Sequence, residues 1–410
     1  MRILDLQKEI FSEKEKRSIE ILDILRKQGP ISRSDISQEM GVNVVTISNY
    51  IDDFIKSNLV YEKELDLSEG GRRPVLLDLN SQGGFAIGVG LNLMNMVGLL
   101  VDLKGNIITK TQVTRPRASV REVSGCLLEI VRELLRRSKG YVENIKGIGV
   151  GVAGLINKKD GLIHWPQKID NYYTYASVDL PLRGLLEKEF NLPTLIENDA
   201  TCACFGEHWL DLEKSYKNVL YMFSGVGCGI MINGEIYRGA QGYAGEVSVD
   251  NYKEQDKLQC SDTASCFIKR WDLDLGIVSD LKIALAKDAK AKDEFLQVAA
   301  VNIENLDLRS IFKAARLNNY LAAAVLNQAA KRLGVRIAYL VNLLNPQVVV
   351  IGGGLEEAGE EFLKQIKITV SDWAFRQSTS ELKIVYSQLR ENAVAMGAAG
   401  LVLEKVFAQL

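Results

Sequence analysis

From residue 85 onward the chain repeats one texture. Short apolar runs, nearly free of charge, are each followed by a longer stretch with helical spacing. The runs are FAIGVGL, MVGLLVDL, IKGIGVGVAGLI, TLIEND, NVLYMF, GIMING, QVVVIGGG and LKIVYS. A strand that is apolar on both sides must be covered on both faces, as in an α/β fold. Helices are expected over 119–138, 180–190, 200–210, 318–343, 354–366 and 391–407. Asn233-Gly234 sits between two strand-like runs and tolerates the positive φ of a type I′ turn, so it marks a hairpin. The Gly-punctuated, strand-rich pattern occurs twice, near 83–200 and 217–410, which predicts two similar lobes.

The first 80 residues differ. Ile21, Leu22, Ile24 and Leu25 give a helical stripe that Gly29-Pro30 ends. Ser32 or Ser34 can cap a second helix holding Ile36 and Met40, and Gly41 supplies a tight turn. Asn43 can then cap a third helix with Ile47, Ile51, Phe54 and Ile55 on one face. Helix, short Gly turn and helix make a helix-turn-helix, whose second helix enters a DNA major groove. Its reaching residues would be Asn43, Val44, Val45, Thr46, Ser48 and Asn49. Asn can pair with adenine, and Val or Thr methyls can touch thymine methyls. Two strands, Leu59–Tyr61 and Pro74–Leu79, flank a loop in which Arg72-Arg73 could clamp phosphates or enter a minor groove, forming a wing.

Charge qualifies this reading. With 50 Lys+Arg against 52 Asp+Glu, the net charge of −2 gives no global attraction to nucleic acid. The third helix carries only Lys56, so DNA binding would depend on pairing of heads. Six cysteines spread through 410 residues suit a reducing cytoplasm better than a disulfide scaffold. The uncharged stretch Leu79–Val101 has the length of a membrane span, but its asparagines and glycines read as two strands around a polar turn. A cytoplasmic protein with no membrane segment is expected.

SRSDISQEMGVNVVTISNYIDDFIKSNLV followed by GGRRPVLLDLN resembles the head of regulators in the ROK family (repressors, open reading frames and sugar kinases). The resemblance continues through GIGVGVAGLI, ENDATCACFGEHW, INGEIYRGAQGYAGE, NPQVVVIGGGLEEAG and AVAMGAAGLVLE, in the family's order and over almost the whole chain. It implies an N-terminal winged helix-turn-helix (1–80) followed by a two-lobed, actin-like, ribonuclease H-like sugar-binding α/β domain (81–410). The lobes would be 81–200 with 391–410, and 201–390. It also implies a sugar held in the interlobe cleft.

By the same resemblance, Asn198, Asp199 and Glu246 match sugar contacts, with Gln167 near the position of a fourth. The family's kinases use the matching Asp as general base and carry an Asp-x-Gly-Gly-Thr phosphate loop after the first strand. Here that loop reads Gly90-Leu91-Asn92-Leu93-Met94, without the acid and with bulky residues in place of glycine and threonine. Glycine-rich turns remain at Ser224–Gly229 and Gly352–Gly354. Family zinc sites use a His where this chain has Val249, and a cysteine cluster reduced here to Cys260 and Cys266; no zinc or other cofactor is expected. The reading is a sugar-responsive regulator, a repressor of carbohydrate genes, that binds a double-stranded operator as a homodimer or homotetramer. The rival reading is a sugar kinase with an appended DNA-binding head.

Overall fold

A computed structural model describes residues 4–8, 10–63, 75–92, 94–115, 120–168, 175–210, 216–224, 227–247 and 275–409. The chain divides into two compact units: residues 1–91, 96–198 and 394–410, and residues 92–95 with 199–393.

The first unit begins with the three-helix head. Helix α1 (Glu13–Gln28) starts on a capping box, in which Ser12 and Glu15 satisfy each other's backbone N–H groups, and it ends at Gly29. A two-residue strand, β1 (Ile31–Ser32), leads into α2 (Arg33–Met40), whose N-terminus is the capping box of Ser32 and Asp35. Gly41 closes α2 in the left-handed region at φ 64°, where a side chain would be strained. Helix α3 (Val44–Lys56) follows. Ile21, Leu22, Leu25, Ile36, Ile47, Ile51 and Phe54 are all buried, so the apolar stripes of the three helices form the head's core. Strands β2 (Val60–Lys63) and β3 (Leu76–Leu79) pair antiparallel, and β1 adds to β3, giving sheet order β1-β3-β2.

The rest of this unit is built on a five-stranded sheet. Its strands are β4 (Phe85–Leu91), β5 (Asn95–Asp102), β6 (Ile107–Thr114), β7 (Ile145–Val152) and a strand at Thr194–Asn198 that becomes β11 in chain order. Helix α4 (Val120–Arg137) precedes β7. A small antiparallel sheet of β8 (Leu155–Asn157), β9 (Leu162–Lys168) and β10 (Tyr175–Leu180) comes before α5 (Leu182–Phe190) and β11. The large sheet runs β11-β7-β4-β5-β6, parallel across β11-β7-β4 and antiparallel at β4-β5.

The second unit opens with α6 (Asp199–Trp209) and repeats that strand arrangement. Strands β12 (Val219–Phe223), β13 (Gly227–Ile232), β14 (Glu235–Ile236), β15 (Val348–Gly352) and β16 (Lys383–Tyr386) form a sheet in the order β16-β15-β12-β13-β14. It is parallel across the first three strands and antiparallel across the last three. The sequence-expected doubling is thus a doubling of topology. Asn233 (φ 54°) and Gly234 (φ 83°) form the two-residue hairpin between β13 and β14. Beyond α6, the helices among the described residues of this unit are α7 (Ile277–Lys287), α8 (Ala289–Ala299), α9 (Leu308–Arg316), α10 (Tyr320–Leu344), α11 (Glu360–Trp373) and the one-turn α12 (Arg376–Thr379).

The final helix, α13 (Ala393–Ala408), returns the chain to the first unit. A Cβ at Gly88 in β4 would collide with the Ala395 carbonyl, and one at Gly149 in β7 with that of Ala398. Glycine therefore lets α13 lie with its backbone directly on the sheet.

Several expectations need correction. The helix expected over 354–366 starts at Glu360 and runs to Trp373, because Gly354 (φ 104°) and Gly359 (φ 91°) isolate 355–358 as a separate 3₁₀ turn. Strands β1 and β6 and the small β8–β10 sheet, with helices α7, α8 and α9, were not anticipated. The uncharged stretch 79–101 is the end of β3, a 3₁₀ turn, β4 and most of β5; no helix among the described residues is long and apolar enough to cross a membrane.

Candidate functional site

Two groups of residues carry the candidate chemistry. The first is the leading end of α3. The Asn43 Oδ1 accepts the Val45 N–H at 2.8 Å, so this side chain sets the helix start. With its carbonyl used as a cap, Asn43 has only its amide N–H₂ to offer a base. Val44 and Val45 are 41% and 66% exposed, so apolar methyl groups face outward at the start of this helix. Asn49 is exposed one turn after Val45, while Thr46 and Ser48 are half-buried. The Ser48 hydroxyl donates to the Val44 carbonyl at 2.9 Å.

Ile47, Ile51 and Phe54 hold the opposite face in the core, so the outward direction of Val45 and Asn49 is fixed by packing. Further along, the face turns acidic at Asp52 and Asp53. Arg33, the first residue of α2, lies 3.4 Å from the Asp52 carboxylate and 3.0 Å from that of Glu62. Sequence reading missed this cation because its partners are distant in the chain. Only the first half of α3 is free of acidic side chains. Strands β2 and β3 end at Lys63↔Leu76, the base of the expected wing. Arg72 and Arg73 lie outside the described residues.

The second group surrounds the start of α6. Asn198 is the last residue of β11 and Asp199 the first of α6, so the chain passes from one compact unit to the other between them. Asp199 is 6% exposed, and its Oδ1 accepts the Ala200 N–H at 2.8 Å at the positive end of the helix. Glu246 comes from the GYAGE turn. That turn is pinned to β13 by a Gly227↔Glu246 bridge and a Cys228 N–H bond to the Gly245 carbonyl at 2.8 Å. Gly245 (φ 95°) is required there, since a Cβ would strike the Cys228 carbonyl.

Water reaches Glu246, but the protein crowded around its carboxyl removes part of its hydration, and the Asp199 charge adds repulsion. Together these raise its pKa from 4.5 to about 7. The structure thus brings Asp199 and Glu246 within electrostatic reach inside the second unit, although 47 residues separate them. Gln167 is in β9, where its backbone pairs with Ala176; its side chain lies outside the described part of the structure. Also unforeseen was the Lys158–Glu197 ion pair at 2.9 Å, whose carboxylate is buried beside the end of β11.

The raised pKa has a sign. Below pH 4.5 the Glu246 carboxyl is protonated in folded and unfolded chains alike. Between 4.5 and about 7 only the folded chain retains the proton, so the native state loses its relative advantage as pH rises through that window. An ionised carboxylate accepts hydroxyl hydrogen bonds better than a protonated one. If Glu246 holds a sugar hydroxyl, calorimetric sugar affinity should rise between pH 6 and pH 8 and then level. In Glu246→Gln the same titration should be flat.

Val249 offers no ligand atom, and Val249, Cys260 and Cys266 lie outside the described residues. No cluster of three His, Cys, Asp or Glu suited to a metal occurs among the described residues. Cys202, Cys204 and Cys228 are buried and free of disulfides. Burial pushes the Cys228 thiol up to about 12 and raises that of Cys204 well above its usual value, so both stay protonated and inert.

A helix-turn-helix with its β2–β3 pair, ahead of a doubled five-stranded α/β unit, is the architecture of a winged helix-turn-helix head followed by an actin-like fold. The ROK family profile matches residues 86–405, and the chain belongs to that family. It is 29% identical over 376 residues to the xylose repressor of Caldicellulosiruptor bescii, covering 91% of this chain and 92% of that protein. It is 26% identical over 406 residues to the xylose repressor of Bacillus subtilis, covering 98% of each. In fold it resembles a ROK family transcriptional regulator homologous to the E. coli MLC protein, with TM-score 0.70, 21% identity and coverage of 96% of this chain and 97% of that one.

Proposed function

We propose that this protein is a DNA-binding transcription regulator, a repressor of carbohydrate-metabolism genes, that releases its operator when a small sugar binds near Asn198, Asp199 and Glu246. The observation that carries the reading is that one chain joins an outward-facing apolar and amide edge on α3 to the Asp199–Glu246 carboxylate pair. Carboxylates and amides hold vicinal hydroxyls by paired hydrogen bonds. The relatives named above are xylose repressors matched over nearly their full length, so D-xylose is the first sugar to try.

The reading also holds that the protein is not a kinase. At the tip where kinases of the family carry their phosphate loop, the Asn92 amide donates to the Glu391 carbonyl at 2.7 Å. Asn95 accepts from the Arg309 guanidinium, and Met94 packs against the core of the second unit. At Gly352–Gly354, the Gly354 N–H is bound by the protein's own Glu356 carboxylate at 2.7 Å. The Asn92 amide, the Arg309 guanidinium and the Gly354 N–H, three donors that a phosphate could use, are each engaged within the chain.

An operator read by two heads needs a homodimer or homotetramer, and the work of such a regulator is cytoplasmic. A sugar shifts DNA affinity only if it binds the DNA-competent and DNA-incompetent forms differently. A thermal-shift panel of sugars and sugar phosphates tests the reading. Stabilisation by D-xylose or a close relative, without sugar-dependent ATP consumption, is expected. ATP consumption that depends on sugar and disappears in Asp199→Ala would establish the kinase instead.

A further inference from the structure

The residues ahead of the DNA-reading head are attached to the body at several points. Leu6 is buried against β7, where a Cβ on Gly147 would touch its Cδ1. The Gln7 amide donates to the Thr194 carbonyl at 3.0 Å, at the first residue of β11. The Gln409 side chain, just beyond α13, pairs both ways with the Asp5 backbone, accepting its N–H at 2.7 Å and donating to its carbonyl at 2.6 Å.

The most telling group is Lys405. This α13 ammonium is 8% exposed, donates to the Lys8 carbonyl and lies 4.3 Å from the Phe11 ring centre. Burying an ammonium is costly unless oxygen and π-electrons replace its water, and here the segment supplies both. At its other end the segment grips the head. The Lys8 ammonium holds both Glu15 carboxylate oxygens at 2.5 and 2.7 Å, and Glu15 completes the capping box of α1.

The head has a second attachment at the end of β3 and just beyond it. Lys104 pairs with the buried Asp78 at 2.8 Å, and the Leu103 N–H donates to the Ser81 carbonyl. A domain held at both ends of its chain turns with the body that holds it. A head on one flexible linker would not.

We propose that the segment carrying Asp5, Leu6, Gln7, Lys8 and Phe11 is a strap that locks α1 to β11 and α13, so that the head responds to events at the Asn198 end of β11. One strand carries both contacts: β11 begins at the Thr194 carbonyl that Gln7 grips and ends at Asn198. The strap stands on contacts within the first unit. Its role in signalling rests on the function proposed above, and the test separates the two.

Lys405→Met keeps an apolar side chain of similar length on α13 but cannot hold the Lys8 carbonyl. Gln7→Ala removes a single bond and leaves the fold little perturbed. The first readout needs no ligand. Hydrogen exchange at the leading turns of α1 should accelerate about 10-fold in Lys405→Met and several-fold in Gln7→Ala, with α3 and β7 unchanged and with Lys405→Arg restoring slow exchange. Acceleration confined to that segment, or spread equally through α3 and β7, overturns the strap.

The second readout is the ratio of duplex affinities without and with D-xylose. In both strap variants it should fall toward 1, while D-xylose affinity and sugar-free duplex affinity stay within about threefold of wild type. A strap variant that retains the full wild-type ratio overturns the signalling role. A wild-type protein whose duplex affinity ignores D-xylose contradicts the sugar assignment, and the exchange experiment then decides the strap alone.

Discussion

Val45→Glu is expected to weaken operator binding by about 100-fold or more while leaving the melting temperature of the protein unchanged. Val45 is 66% exposed on the leading half of α3 and contributes nothing to the head's core, which is made by Ile47, Ile51 and Phe54 on the other face. A carboxylate there loses an apolar contact to a thymine methyl and faces phosphates as well. A single base contact is worth about 1–3 kcal/mol, and charge repulsion adds to that. Asn49→Ala, which removes an amide without adding charge, should cost about 1–3 kcal/mol and relax preference at one base pair only. Fluorescence anisotropy with a labelled duplex reads both, and calorimetric melting checks the fold. Unchanged affinity in Val45→Glu would mean that α3 does not enter the groove.

Asp199→Ala should abolish the sugar response. A buried carboxylate that holds two hydroxyls contributes two charge-assisted hydrogen bonds, each worth about 1.5–3 kcal/mol, so sugar affinity should fall at least about 100-fold. The same substitution removes the acceptor for the Ala200 N–H at the start of α6, a loss of about 1 kcal/mol in stability that does not by itself empty a site. Asp199→Asn separates the two effects, because it keeps an oxygen for Ala200 and loses the charge. It should retain the melting temperature and still lose most of the sugar affinity. With the Asp199 charge gone, Glu246 should also titrate lower than about 7, visible in a carboxyl-resolved NMR titration. Operator binding without sugar should be untouched in both variants. An intact sugar response in Asp199→Ala would move the ligand elsewhere.

The parts of this structure that were legible in sequence are those whose signal is local. Helix α3 announced itself through Asn43 and the spacing of Ile47, Ile51 and Phe54. The β13–β14 hairpin did so through Asn233-Gly234, and the buried strands through their unbroken Val/Ile runs. The parts that were not legible depend on partners far along the chain. Strand β1 has two residues and exists only because Leu76 and Leu77 of β3 pair with it. Strand β6 has a mostly exposed sequence with no apolar run to mark it.

Residues 355–358 carry a helical pattern that flanking glycines cut off from α11. The same division holds for the site. Asp199 could be nominated from the end of a strand run, and Glu246 only through a family motif. That these two carboxylates perturb each other follows from the fold, in which the GYAGE turn closes onto β13 near the start of α6. Arg33 beside Asp52 and Lys405 under the strap are likewise products of tertiary packing.

The most direct measurement is a duplex-binding titration, using a fragment recovered by footprinting the protein across its genome, run without sugar, with D-xylose, and with D-xylose plus ATP. The account predicts tight binding in the first case, at least tenfold weaker binding in the second, and no further change or nucleotide turnover in the third. Failure to bind any recovered fragment, together with ATP consumed in proportion to sugar, would contradict it.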